Sequence, residues 1–340
     1  MHSFKNSLGK QQFRPSNVRG RRPRKVSWKA ADVLSLFAGT CIALRVEYCS
    51  FASKGNFVAD GLTTGLLASG AQPTALEQRA ASQSAPRPEE AGQYRVRFAE
   101  TREDRERAFR LRFCVFSVEL GEGPDSAYRD GYECDEFDEF CDHLLVEHLG
   151  TREIVGTYRL QAGTEAAANL GYYGEREFDF APYEHLRGNL VELGRACIHR
   201  DHRSFEVLTL LWRGIAAYAI DRNARYLVGC SSLTSQSPSE GAAVYGQLQD
   251  FLVESSLQTV PLPKYQFPLD KYSELPGLTR PPKLLRAYLS IGARICGPPA
   301  IDRAFKTIDF LTLLDLEDMY SAARARFLGG EQTRSRERVG

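Results

Sequence analysis

The chain has 340 residues, 43% of them hydrophobic, and 44 Lys and Arg set against 43 Asp and Glu give a net charge of +1. That is long and apolar enough for a full core, arranged as one large domain with tails or as two domains. The balanced charge gives no ground for a nucleic-acid partner, and the apolar run from Val33 to Leu44 is too short to span a bilayer.

From the N-terminus, Met1 to Ala31 holds nine Lys or Arg and no Asp or Glu, a basic region too long for a secretory leader. Gly61 to Gln93 then turns to Ala, Ser, Gln, Gly and Pro, a composition unable to bury enough apolar surface to fold. Residues 1–92 are therefore predicted to be a disordered extension, 93–328 the folded domain and 329–340 a tail. The eight cysteines are scattered without a Cys-x-x-Cys spacing, which points to a reducing compartment. Cys134, Cys141 and His143 match no standard zinc spacing, and no metal is expected.

Folding is predicted to begin with the alternating strand Tyr94–Phe98, followed by a helix capped by Thr101 with Asp104 and carrying Ala108, Leu111, Val115 and Phe116 on its apolar stripe. Gly121 to Phe140 is an acidic loop too polar for a core, and a loop of that length is usually functional or disordered. A hairpin follows, with strands at His143–Glu147 and Ile154–Leu160.

The next strand, Val191–Ile198, places Glu192 and Arg195 inside an apolar run. Buried charges persist only where they pair, face a cavity or do chemistry. In a regular strand the two side chains would point to opposite faces, but Gly194 between them marks a bulge that lets both reach one cleft and frees a backbone N–H as an oxyanion donor. The plain alternative is a structural ion pair at a sheet edge. Ser204 then caps a helix running to about Asn223, and Tyr226–Cys230 reads as a buried strand parallel to its predecessor. A helix over Ser239–Val253, a Pro-rich segment, an amphipathic helix over Pro282–Ile291, a strand at Phe310–Leu314 and a polar helix from about Leu316 complete the chain.

This order of elements resembles the α/β GNAT N-acyltransferase fold, a mixed central sheet flanked by helices. Arg112-Phe113-Cys114-Val115-Phe116, Asp135 to Val146, Val155 to Leu160, Glu192-Leu193-Gly194-Arg195 and Leu210 to Ile215 narrow the resemblance to the L-ornithine N-alpha-acyltransferase, or hemolysin-like, branch of ornithine-lipid biosynthesis. The same framework is similar to that of the acyl-homoserine-lactone synthases. The resemblance implies transfer of a 3-hydroxyacyl group from acyl-carrier protein to the α-amine of L-ornithine, without a resident cofactor. It further implies a cytoplasmic location, with peripheral contact at the inner membrane left open.

The residues fit that chemistry. Ornithine carries two ammonium groups and a carboxylate, so Asp135, Asp138 and Glu192 are candidates for the amines and Arg159 or Arg195 for a bidentate carboxylate clamp, with Arg112 and Phe116 completing the acceptor pocket. Glu192 is the candidate base that removes the proton from the attacking amine. Tyr245 occupies the region where many GNAT enzymes keep a Tyr that protonates the leaving thiolate. Neither Gly-x-Ser-x-Gly nor His followed five positions on by Asp occurs, which favours direct aminolysis over an acyl-enzyme. The segment His199 to Phe205 lacks the glycines that cradle the pyrophosphate of coenzyme A in GNAT enzymes; Arg200, Arg203 and Ser204 are instead expected to meet a single phosphopantetheine phosphate. Arg213, Arg222, Arg225, Lys283 and Arg286 are candidates to extend a docking face for the acidic carrier protein. Another amino acid or amine as acceptor, or a non-catalytic membrane-surface protein using the basic tail and the Pro282–Ile291 helix, are the alternative readings.

Overall fold

The computed structural model describes residues 88–272 and 279–327. Most of the predicted N-terminal extension, and all of the tail from 329, lie outside the described residues. The fold starts earlier than the sequence suggested: Glu89–Ala91 (β1) forms an edge strand antiparallel to Tyr94–Phe98 (β2), turning at Gly92, and Glu89 pairs with Arg213.

Among the described residues, nine strands make one mixed sheet. After β2 come Asp142–His148 (β3), Ile154–Ala162 (β4), Leu190–Ile198 (β5), Tyr226–Leu233 (β6), Arg294–Ile295 (β7), Ala300–Asp302 (β8) and Thr307–Asp315 (β9), ordered β1-β2-β3-β4-β5-β6-β9-β7 with β8 also on β9. Every pairing is antiparallel except β5 with β6. The helices are Arg102–Arg112 (α1), Ala127–Asp130 (α2), Gly163–Ala168 (α3), Phe205–Asp221 (α4), Pro238–Gln247 (α5), Lys283–Ile291 (α6) and Ser321–Phe327 (α7).

Local chemistry sets the main boundaries. The Thr101 hydroxyl accepts from Asp104 N at the start of α1, and Ser204 Oγ accepts from Val207 N at the start of α4, so each cap satisfies an otherwise orphan N–H. The central strands are apolar on both faces because both are covered. Leu144 and Val146 of β3 join the core under α4 with Leu210, Leu211, Ile215 and Tyr218, whereas Leu145 points the other way, to Ala108, Leu111 and Val115 beneath α1. Past Arg112 the helix widens into a π-helical segment, Phe113–Glu119, which turns Val115 and Phe116 inward. The expected helix over Ser239–Val253 is shorter: it ends at Gln247 and gives way to a 3-10 turn.

The apolar face of α6 is committed to the core. Leu285, Ala287, Leu289 and Ile291 are buried and Tyr288 packs edge-on against Trp212, so this helix has no apolar stripe to offer a membrane, which removes one support of the membrane-surface alternative. Among the described residues, no helix is long and apolar enough to cross a membrane, and the six cysteines at 114, 134, 141, 197, 230 and 296 are free.

Two features of β5 position the site. Its parallel pairing with β6 lasts only from Leu190↔Tyr226 to Glu192↔Val228; beyond that β5 follows β4, β6 follows β9, and the sheet opens into a cleft. On its other edge, Thr157 faces Cys197 and Arg159 faces Gly194, so Tyr158 alone opposes Arg195 and Ala196. This is the anticipated bulge. The left-handed residue within it is Arg195, at φ 49°, rather than Gly194.

Candidate active site

The cleft between the parted strands is a cavity of about 630 Å³ whose lining includes Phe116, Tyr158, Arg159, Glu192, Arg195, Arg203, Ser204 and Phe305. Apolar atoms dominate one side, with Leu193, Ala196, Ile198, Leu208, Leu211, Leu233 and Leu284 forming a wall suited to an alkyl chain. The polar side holds three arrangements of charge.

The first is a closed ionic lattice. Arg112, only 1% exposed, gives Nε to Glu133 at 2.5 Å and both Nη atoms to Asp138 at 2.8 and 2.9 Å. Arg159 Nη1 bonds Asp135 at 2.6 Å and Asp138 at 3.2 Å, and Arg195 bonds Glu133 at 3.0 Å and Asp135 at 2.9 Å. Three guanidiniums thus share three carboxylates. Asp135 is also the N-cap of the 3-10 turn Glu136–Glu139, in a capping box with Asp138, which fixes the acidic loop in place. Burial alone would raise these acids, but Arg112 and Arg159 reverse it and hold Asp138 well below the usual carboxylate range; Glu133 and Asp135 are lowered in the same way. Arg195 lies between the rings of Tyr173 and Phe305, at 4.5 and 4.6 Å. Its left-handed backbone, which costs on the order of 1–3 kcal/mol, is held by these fixed partners.

The second is Glu192, 7% exposed. Its Oε2 accepts from Tyr173 N and its Oε1 from Gly174 N, both at 2.7 Å, so the 3-10 turn Tyr173–Arg176 presents its N-terminal donors to the carboxylate. A Cβ at Gly174 would come within 2.9 Å of Phe180 and 3.1 Å of Glu192 Oε1, which is why this position is glycine. Burial pushes the Glu192 carboxyl up and the two backbone donors limit the rise, leaving it at about 7. Such a group is roughly half ionised at neutral pH, the poise of an efficient general base.

The third was not anticipated. Glu177, Asp302 and Asp309 converge on the same cavity, all buried, each offering an oxygen within 4.8 Å of the others. The signal that singled out Glu192 was present at Asp309 too, an acid in the apolar run Ile308-Asp309-Phe310-Leu311. Glu133, Tyr173 and Phe305 were missed as well; Glu133 is one acid among many in its loop, and nothing local distinguishes it.

The remaining candidates divide. Arg112, Asp135 and Asp138 stand behind the cavity wall rather than in its lining, and because both aspartates are bonded to arginines they are not the anions expected for the amines of an acceptor. Tyr245 packs on α5 against the cluster of Val244, Leu248, Ile308 and Phe310, outside the cavity lining, so the structure does not bring it to the reacting atoms. The tyrosines lining the cavity are Tyr158 and Tyr173; the Tyr158 hydroxyl lies 2.5 Å from that of Tyr288 and is pushed up to about 12 by burial. Arg203 reaches the cleft mouth but donates to both oxygens of Glu119, at 2.7 and 2.8 Å. Arg200 is exposed and outside the lining. Of the suggested docking face, Arg213, Arg222 and Arg225 pair with Glu89, Asp142 and Asp315, so these three do not form a free basic patch.

Comparison with known proteins decides the family. Residues 111–213 match the acetyltransferase (GNAT) domain family. L-ornithine N(alpha)-acyltransferase of Brucella abortus is 32% identical over 260 residues, covering 72% of this chain and 91% of that protein. The protein of the same name from Agrobacterium fabrum is 30% identical over 257 residues, covering 72% and 87%. The chain belongs to the L-ornithine N(alpha)-acyltransferase family. Solved structures similar to this acyltransferase include the acyl-homoserine-lactone synthase LasI (14% identity, TM-score 0.40, 70% of this chain and 95% of that one) and FeeM, an N-acyl amino acid synthase from uncultured soil microbes (12%, 0.43, 69% and 97%).

Proposed function

We propose that the protein transfers a 3-hydroxyacyl group from the thioester of acyl-carrier protein to the α-amine of L-ornithine, giving lyso-ornithine lipid. The observation that carries this reading is Glu192, poised at about 7 on the wall of an apolar cleft at the parting of β5 and β6. The acyl chain lies along the Leu193, Leu208 and Leu284 wall. Glu192, directly or through a water, takes the first proton of the attacking ammonium; the amine nitrogen then bonds the thioester carbonyl carbon, and as the C–S bond breaks the nitrogen gives up its second proton, which passes through water to the departing sulfur so that it leaves as thiol. Arg195 and Arg159, held by the lattice, present the positive edge that receives the acceptor's carboxylate.

The entrance to α4 supports this choice of donor. A cradle for two phosphates needs backbone N–H groups approached closely through glycines, and His199 to Phe205 has none. One phosphopantetheine phosphate at the cleft mouth, beside Ser204 and Lys283, asks less of the site. The reading invokes no resident cofactor, and the amphiphilic product gives a reason for release at a membrane surface. Assays of the purified protein with matched acyl thioesters test it: product from carrier-protein thioester and ornithine, with the coenzyme A thioester used much less well, is the expected result. Equal use of both thioesters overturns the donor; acylation of another amine with ornithine ignored overturns the acceptor.

A further inference from the structure

We infer that Glu177, Asp302 and Asp309 form a subsite for the side-chain ammonium of a diamino-acid acceptor, and so select a basic diamino acid over a neutral amino acid of the same shape. This rests on the reading of ornithine as acceptor and adds to it the residues that would read its second amine. The three carboxylates belong to separate elements: Glu177 closes the turn Tyr173–Arg176, Asp302 ends β8 and Asp309 lies within β9. They are 2, 5 and 4% exposed, yet all three line the cavity.

Their charge is not balanced by the protein. Among the described residues no Lys, Arg or His nitrogen forms an ion pair with any of the three, and the nearest guanidinium field, that of Arg195, is already shared by Glu133 and Asp135. Asp302 Oδ1 accepts from Ala304 N and Phe305 N, and Asp309 Oδ2 accepts from Thr307 Oγ1. Glu177 Oε2 is buried without a hydrogen-bond partner, and Asp309 Oδ1 lacks a well-formed one, although the Ser232 hydroxyl also lies beside the Asp309 carboxyl. Buried carboxylate oxygens left unpaired are costly, and a cation entering from the cavity would complete them.

The placement relative to Glu192 favours an ammonium on the substrate. One short turn does both jobs: its first N–H groups hold Glu192, and its end delivers Glu177, whose N–H closes on Gly174 O. An acceptor whose α-amine is at Glu192 therefore has its side chain directed along this turn toward the acids. Burial, reinforced by repulsion between the neighbouring acids, raises Glu177 well above the usual carboxylate range and Asp309 to about 6, so these two carboxyls retain protons that a bound ammonium would displace.

The test compares ornithine with norvaline, which has the same carbon chain and no side-chain amine, using the full chain and an acyl-carrier-protein thioester. Wild-type kcat/KM should favour ornithine by on the order of 10² or more, and Glu177→Gln and Asp309→Asn should each reduce that ratio at least about tenfold, mainly through KM for ornithine. Ornithine binding near pH 6–7 should also release protons, read as a binding heat that depends on the buffer. Equal wild-type use of the two amino acids overturns the subsite while leaving acyl transfer intact, and needs no variant. Failure of the wild type with ornithine, alongside turnover of an unrelated amine, overturns the ornithine reading and the subsite with it. A divalent cation bound by wild type and lost in Asp309→Asn, with EDTA abolishing turnover of both amino acids, would make the trio a metal site and likewise overturn the assignment.

Discussion

Two groups of carboxylates, one behind the cavity wall and one in its lining, stand in opposite electrostatic states. Glu133, Asp135 and Asp138 are matched charge for charge by Arg112, Arg159 and Arg195, whereas Glu177, Asp302 and Asp309 have hydroxyl and backbone donors but no paired cation. The difference teaches what buried charge is for. A closed lattice leaves its carboxylates nothing to offer a substrate; it fixes geometry, here the left-handed backbone of Arg195, the acidic loop behind it and the guanidinium edges of Arg159 and Arg195 that face the cavity. An open set is incomplete without a ligand. The same residue type is therefore scaffold in one place and recognition element in the other, and pairing rather than burial distinguishes them.

Removing a lattice cation should have the largest effect. Arg112→Met keeps volume but leaves three acids to two guanidiniums, with buried Glu133 held by Arg195 alone and buried Asp138 by Arg159 alone, so unfolding free energy should fall by about 3–5 kcal/mol. Urea unfolding would show it as a lower midpoint at unchanged slope. A loss below about 1 kcal/mol would mean that the lattice is loose and wet, and the contrast between the two groups would collapse. The pH dependence carries the matching sign. The lattice acids are lowered in the folded state, so their contribution is present above their unfolded values near 4 and is lost as pH falls through the folded ones.

Glu192 lies between the two groups in kind: among the described residues no cation forms an ion pair with it, yet both its oxygens accept main-chain N–H groups. Glu192→Gln retains the shape, sets an NH₂ against one of those donors and removes the base. We expect kcat to fall by on the order of 10², about 2.7 kcal/mol in barrier, with the fold kept as judged by circular dichroism. In the wild type, kcat/KM should rise with pH through an apparent value near 7, and the variant should lose that limb. A variant with normal turnover and only a lower melting temperature would turn Glu192 into scaffold.

How much of this was legible depended on whether the signal was local. Tyr94–Phe98 was readable to the residue because alternation is a local pattern, and Thr101 and Ser204 because a cap bonds its own next turn. Glu192 stood out as a charge in an apolar strand, and Gly194 beside it marked the bulge. The partners of Asp135 and Asp138 were not legible, since the arginines that claim them come from α1, β4 and β5, and only the fold sets them against the loop. Tyr245 failed for a related reason: its position in the element order was right, but the face of α5 that carries it turns to the Leu248 and Ile308 cluster. The acid trio is assembled from a turn, β8 and β9, and neither β8 nor that turn has a periodicity that marks it.

The smallest expected effect is also the one with the opposite sign. Asp309 is raised to about 6 from the ordinary aspartate value of about 3.8, mainly by burial, so its contribution to stability is fully present below about 3.8 and is lost as pH rises through about 6. Asp309→Asn preserves an acceptor for Thr307 and removes the charge, so the unfolding free energy of wild type minus that of the variant should decline between pH 4 and pH 7. Above pH 6 the variant should be at least as stable as wild type. Ornithine at a fixed concentration should then narrow or reverse the gap by stabilising the wild type more than the variant, because the ligand binds only the folded state and the variant has lost part of its subsite. Melting curves at pH 4, 5.5 and 7, with and without ornithine, would measure this. A variant clearly less stable than wild type at pH 7 without ligand would show that Asp309 is already paired within the protein, and the trio would belong with the lattice.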